Sequence, residues 1–208
     1  MKSVDNREYH TDNVTLPNTP GKGLKLGTYE TTAKFGWRDI LGQVINKGVG
    51  SNDPPWSQIG TSVFYAYKFA VNDEVWIPYH IPHDLVPNTA IYFHAHWLPD
   101  GTNVQPVKWE FSYIYARGFD QDNFSIPGTT VTAQEAPPGT AYRHMVTETA
   151  AVTIANLDEP DGIIYTRCRR ITNGGTDNAN GIFLLTADVH YQSTNLATKQ
   201  KAPNFYAD

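Results

Sequence analysis

The stretch V75-WIPYHIPHDLVPNTAIYFHAHWLPDGTNVQPVKWEFSYI-Y115 decides the reading of this chain. It holds four of the seven histidines and three of the five tryptophans. Side chains alternate between the two faces of a β-strand. Over Ala90–Trp97 that rule puts Ile91, Phe93, Ala95 and Trp97 on one face and Tyr92, His94 and His96 on the other. After a turn at Pro99–Gly101, Val107, Trp109, Phe111, Tyr113 and Tyr115 form a second alternating set. The pattern predicts two strands of a β-sandwich, with an aromatic core face and a histidine-bearing outer face.

Composition supports the same class. Charged residues are 18% and aromatics 12% of the 208 residues, with 16 glycines and 14 prolines. Few charges, many turn residues and many β-formers favour an all-β domain over a helical one. The formal net charge of −5 argues against a nucleic-acid partner, because phosphate binding needs clustered Lys and Arg. The locally basic run Arg167–Arg170 (RCRR) is expected to form ion pairs at a surface or interface. A single cysteine, Cys168, leaves no intramolecular disulfide framework and is expected to be a small buried side chain. The start MKSVDNREYH has no apolar core of a signal peptide, and no run has the length needed to cross a membrane. A soluble protein made in the cytoplasm, with no membrane partner, is the expectation.

Outward from the central pair, residues 1–30 are polar and broken by Pro17, Pro20, Gly21, Gly23 and Gly27, so they read as an extended N-terminal arm. Leu16, Leu24 and Leu26 are its expected anchors. Residues 31–192 read as one sandwich domain, and 193–208 as a C-terminal tail anchored by Phe205 and Tyr206. Within the domain, Trp37, Ile40, Leu41, Val44 and Ile45 recur at helical spacing and predict one short helix over Phe35–Val49. Val75–Ile81 reads as a strand interrupted by Pro78, which belongs at an edge or a bulge. Val146, Val152 and Ile154 are expected in the core, as are Phe183, Leu185, Ala187, Val189 and Tyr191, with Asp188 and His190 on the opposite face. About eight strands result, the number of an antiparallel jelly roll.

The chemistry-bearing residues are the histidines. His94 and His96 are within reach of a shared ion, and Asp188 with His190 repeats the spacing on another strand. They are read as subunit-interface or ion-binding candidates. A cupin-type metal enzyme is the least favoured reading. Cupins follow an HxH pair about four residues later with Glu and turn the histidines inward, whereas here Asp100 stands at that position, in the turn. No nucleophile elbow, HExxH or phosphate loop is present, and the carboxylates sit largely in turns. No catalytic residue, metal or cofactor is therefore assigned. Trp56, in the loop Asn52–Trp56, is the best candidate for an exposed glycan contact.

HIPHDLVPNTAIYFHAHW (80–97), VKWEFSYIYARG (107–118) and GIFLLTADVHYQSTNLATKQKAPNFY (181–206) together resemble virion structural proteins of tailed bacteriophages. The similarity runs over most of the chain from about Trp37. The resemblance implies a jelly roll that assembles as a homotrimer and no cofactor. It also implies one of two roles: a capsid decoration (cement) protein on the head surface, bound to the major capsid protein, or a receptor- or glycan-binding module of a head or tail fibre. The lack of heptads or Gly-X-Y runs favours decoration. In a trimer with His94, His96 and His190 near a seam, protonation near pH 6 is expected to weaken assembly by bringing like charges together.

Overall fold

The structure is a computed structural model that describes residues 36–48, 50–194, 201 and 205. The expected arm anchors Leu16, Leu24, Leu26 and Tyr206 lie outside the described residues. Ten strands are described: β1 (Gly36–Leu41), β2 (Trp56–Gln58), β3 (Tyr65–Phe69), β4 (Glu74–His80), β5 (Tyr92–Pro99), β6 (Val107–Ala116), β7 (Thr129–Glu135), β8 (Met145–Glu148), β9 (Ile163–Ile171) and β10 (Ile182–Ser193). One sheet runs β2-β3-β10-β5-β8, with β1 also on β10; the other runs β4-β9-β6-β7. All pairings are antiparallel. Of the eight strands from β3 to β10, the first lies beside the eighth, the eighth beside the third and the third beside the sixth. In the other sheet the order is second, seventh, fourth, fifth. That is the strand order of a jelly roll, a two-sheet sandwich whose consecutive strands cross between layers except at the β6–β7 hairpin.

The core forms where the alternation places it. Ile91, Phe93, Ala95 and Trp97 from β5 and its approach meet Trp109, Phe111 and Tyr113 from β6. Phe93 stacks on Phe111 with ring centroids 5.3 Å apart, and Phe69 meets Trp109 edge-on at 5.2 Å. The Trp97 indole N–H donates to Thr147 Oγ1 at 2.8 Å, so the one polar atom of that buried ring is satisfied. β4 is an edge strand. Trp76 exchanges hydrogen bonds with Ile45 on its outer side, and Pro78, two residues on, points its missing donor the same way.

Three expectations are corrected. The described part of the predicted helix over Phe35–Val49 is not helical, and there is no helix among the described residues. Gly36–Leu41 instead pairs with β10, and Ile45 bridges to Trp76. β3 covers only the Ile182–Leu184 end of β10, so the backbone groups beyond it need partners, and β1 supplies them. Gly42 passes close against β4, where an added Cβ would clash with the Ile77 side chain. The single buried side chain of β1 is Ile40, while Leu41 is 72% exposed.

The second correction concerns β10. Leu184 pairs with Trp97 and Thr186 with His96, so Leu185 is an extra residue in a β-bulge. The bulge reverses the phase. Ile182 and Leu184 face the core before it, and Ala187, Val189 and Tyr191 after it. Phe183 joins Ala66 and Leu98 in a small outer cluster, and Leu185 is exposed. The third is Val146, expected in the core but exposed; it pairs with His96 on the outer face, while Met145 and Thr147 face inward. Val152 and Ile154 are buried.

The RCRR run lies within β9. Arg167 and Arg169 make surface ion pairs, Cys168 is fully buried, and Arg170 is buried on the core side. Burial pushes the Cys168 thiol well above its ordinary range. The native protein is expected to resist a thiol-reactive dye and to label stoichiometrically once denatured. Rapid labelling of the native chain would contradict this packing.

Candidate functional site on the six-stranded sheet

The outer face of the six-stranded sheet collects the polar side chains that the alternation sends away from the core. Asp188 pairs directly with His94, Thr186 with His96 and His190 with Tyr92 across β10 and β5. Glu148 pairs with His94 from β8, and Asp39 pairs with His190 from β1. Four strands thus place His94, His96, Asp188 and His190 in one cluster, together with Glu148, Asp39 and His144.

His94 is the hub. Its Nδ1 lies 3.3 Å from Asp188 Oδ1, and its Nε2 bonds the Glu148 carboxylate. His96 Nε2 lies 3.0 Å from Asp188 Oδ2, and its Nδ1 is 3.0 Å from His144 Nε2. His190 pairs with Asp39 through Nε2 and lies 3.5 Å from Glu148 through Nδ1, and its ring centroid is 3.7 Å from that of His94. Trp37 packs edge-on against Tyr92 at 5.5 Å, and these two with Glu148 and His190 line a shallow cleft of about 420 Å³.

Electrostatics follow burial and these contacts. Burial penalises the charge on Asp188, but the adjacent His94 and His96 imidazoles outweigh it and hold the carboxyl below its ordinary value. Burial likewise opposes protonation of His94, yet the flanking Asp188 and Glu148 raise its pKa overall. His190 is lowered by burial. The expectation of like charges at low pH considered imidazoles alone; at His94 two carboxylates stabilise the proton.

Glu148, Asp39 and His144 were not anticipated. Assigning Val146 to the core reversed the phase of β8 and turned Glu148 inward, and reading Phe35–Val49 as a helix removed Asp39. A Thr-flanked carboxylate in the alternating run Met145–Glu148 is the signal that marks Glu148. His80 and His83 belong elsewhere: both reach Asp161, at 3.2 and 3.3 Å. The histidine cluster faces away from the sandwich interior, which the aromatic core fills.

Around the cluster the face is apolar. Trp37, Leu41, Val146 and Leu185 stand exposed on it. Leu185, Phe64, Tyr65, Leu98 and Tyr142 line a groove of about 640 Å³. The opposite outer face differs. There Glu110 lies 2.8 Å from Arg167 and 3.5 Å from Arg169, and Arg167 lies 3.5 Å from Glu74, with Trp76 and Tyr165 beside them.

The remaining candidates are scattered. Trp56 on β2 is 62% exposed, with Tyr67 edge-on against its ring at 4.9 Å. The loop from 172 to 181 uses its amides internally: Asn173 and Asn178 donate to the backbone carbonyls of Pro106, Asn103 and Gln105. Phe205 is buried against His83 and Phe119, at 5.7 and 6.0 Å.

No protein-family model matches the chain, and no curated protein matches it. Among solved structures it is similar to dimeric latent PorU from Porphyromonas gingivalis, with a TM-score of 0.38 and 7% identity over 86% of this chain. This chain spans 14% of that PorU chain. It is also similar to a Family 16 Carbohydrate Binding Module-2, with a TM-score of 0.25 and 9% identity over 74% of this chain and 82% of that one. Neither likeness bears on what the outer face binds.

Proposed function

We propose that this β-sandwich is an assembly module of a tailed-phage virion. It acts as a decoration (cement) protein that binds the outer surface of the head as a homotrimer and stabilises the shell. The observation that carries the reading is the contrast between its two outer faces. On the four-stranded sheet the charges of Glu74, Glu110, Arg167 and Arg169 answer one another. On the six-stranded sheet, large apolar side chains stand in water around a polar cluster. Large apolar side chains gathered in the open on one face point to an interaction surface. The resemblance of 80–97, 107–118 and 181–206 to virion proteins supplies the partners: further copies of the chain on this face, and the major capsid protein beneath. Linking several weak contacts in a trimer raises binding to the shell through effective concentration.

Two measurements test this. Light scattering on the purified chain is expected to give a trimer, and Leu185→Glu is expected to dissociate it by placing a charge in the groove. Co-sedimentation with expanded capsids lacking the protein is expected to show stoichiometric binding at regular positions. A chain that stays monomeric at all concentrations and does not bind capsids would refute the proposal.

Trp56 favours a second reading, a glycan-binding module of a phage fibre, because an exposed indole on a rigid strand offers a face for stacking on a sugar ring. Glycan binding that vanishes in Trp56→Ala, with no capsid binding, would establish that alternative.

A further inference from the structure

Asp188 is 3% exposed, and its Oδ1 is buried with no hydrogen bond directed at it. A buried carboxylate oxygen without a donor is costly unless a cation faces it. Two imidazole nitrogens face this carboxylate: His94 Nδ1, 3.3 Å from Oδ1, and His96 Nε2, 3.0 Å from Oδ2.

Each of those rings has a second partner on its other nitrogen. His94 Nε2 meets the Glu148 carboxylate, and His96 Nδ1 meets His144 Nε2. Both carboxylates only accept, and of the two contacts only that of Nε2 with Glu148 has hydrogen-bond geometry, so the proton of a neutral His94 ring sits on Nε2. A neutral imidazole carries one N–H, which leaves His94 Nδ1 as a lone pair aimed at Asp188. If His96 likewise donates from Nδ1 to His144, its Nε2 also presents a lone pair to Asp188. Lone pairs facing a carboxylate repel unless a cation lies between them.

The ligand atoms of His94, His96 and Asp188 all lie within 4.8 Å of one another. Bonds of about 2.0–2.2 Å in a tetrahedral arrangement separate ligand atoms by roughly 3.3–3.6 Å, which the 3.3 Å between His94 Nδ1 and Asp188 Oδ1 matches. Partners on the far nitrogens are also what metal-bound histidines require, since they fix the ring and its tautomer. The fold supplies the rigidity: His94 and His96 share one face of central strand β5, and Asp188 is the direct partner of His94 on β10.

We infer that His94 Nδ1, His96 Nε2 and Asp188 Oδ1 form a three-ligand site for a divalent transition-metal ion of the zinc class, with Glu148 and His144 orienting the two imidazoles. His96 is partly exposed, so the fourth position opens to water or to a donor from a neighbouring copy. A second triad of His94, His190 and Glu148 shares the central ring. A neutral ring has one lone pair to give, and the orphaned oxygen belongs to Asp188, so the first triad takes the ion. This inference stands apart from the assembly reading.

The test uses the full chain after exhaustive chelation, titrated by calorimetry with Zn²⁺. A parallel titration with Co²⁺ is read by visible absorption, and metal retained after gel filtration is counted. One ion per chain and the visible bands of a low-coordinate Co²⁺ site are expected. His96→Ala, a partly exposed position that the fold tolerates, and Asp188→Asn are each expected to weaken binding at least about tenfold. Glu148→Gln is expected to weaken it about tenfold, the lower range for removing an orienting partner. His83→Ala, whose ring contacts Asp161, should bind as the parent does. The inference is overturned if the parent binds no stoichiometric ion, or if folded His96→Ala binds as tightly as the parent.

Discussion

Trp97→Ala is expected to destabilise the domain by about 3–5 kcal/mol, the range for removing a large aromatic side chain from a tight core. Trp97 is fully buried at the centre of β5, between the neighbours Met145 on β8 and Leu184 on β10. Truncation opens a cavity between the sheets and also leaves the buried Thr147 hydroxyl without its donor. For a domain of this length the loss corresponds to a fall in Tm of roughly 6–20 °C. Trp97→Phe separates the two causes. It keeps most of the apolar volume and loses the hydrogen bond, so it should cost about 1–3 kcal/mol. Thermal unfolding of both variants, followed by near-ultraviolet circular dichroism, measures the difference. A Trp97→Ala protein melting within two or three degrees of the parent would contradict the packing described.

Arg170→Met is expected to have an effect of similar size, about 3–5 kcal/mol, for a polar reason. Arg170 is buried, and its guanidinium donates from Nη1 to Phe69 O at 2.8 Å and from Nη2 to Asn178 O at 2.6 Å. These bonds join the end of β3 to the loop before β10. Burial lowers the pKa of Arg170, and the nearby Asp177 and Asp73 partly restore it, so its charge is held by its surroundings. Methionine fills most of the volume but leaves two carbonyls without donors and two acids without their cation. Arg170→Lys is expected to recover part of the loss at most, because one ammonium does not reproduce a planar fork of donors. Denaturant unfolding of the two variants checks this. Full stability in Arg170→Lys would show that charge, rather than the paired geometry, is what the site needs.

Trp97 anchors the inner side of β5, whose outer side carries His94 and His96, while Arg170 secures the end of the sheet from which β10 departs. A loss at either position is therefore expected to loosen the outer cluster as well as the core.

The period-two pattern of Tyr92–Trp97 and Val107–Tyr115 was legible without coordinates, because alternation is a local property of extended backbone. It determined the all-β class, the aromatic core and the outward direction of His94 and His96. For Asp188 and His190 the outward direction was legible too, since both lie beyond the bulge, where the phase is continuous to the end of β10. Composition and turn signals carried the approximate strand number.

Tertiary structure decided the rest. Phe35–Val49 has an apolar spacing that suits a helix, yet Gly36–Leu41 is a strand because it pairs with backbone groups of β10 that β3 leaves uncovered. The bulge at Leu185 moves Phe183 and Leu185 to the outer face, and no single residue type announces it. Hydrophobicity alone points Val146 inward. Its pairing with His96 turns it outward and brings Glu148 beside His94. Alternation tells each strand which of its residues share a face. Which strands are neighbours, in what register, and hence which histidines meet which carboxylates, depends on hydrogen bonds between residues as far apart as Asp39 and His190.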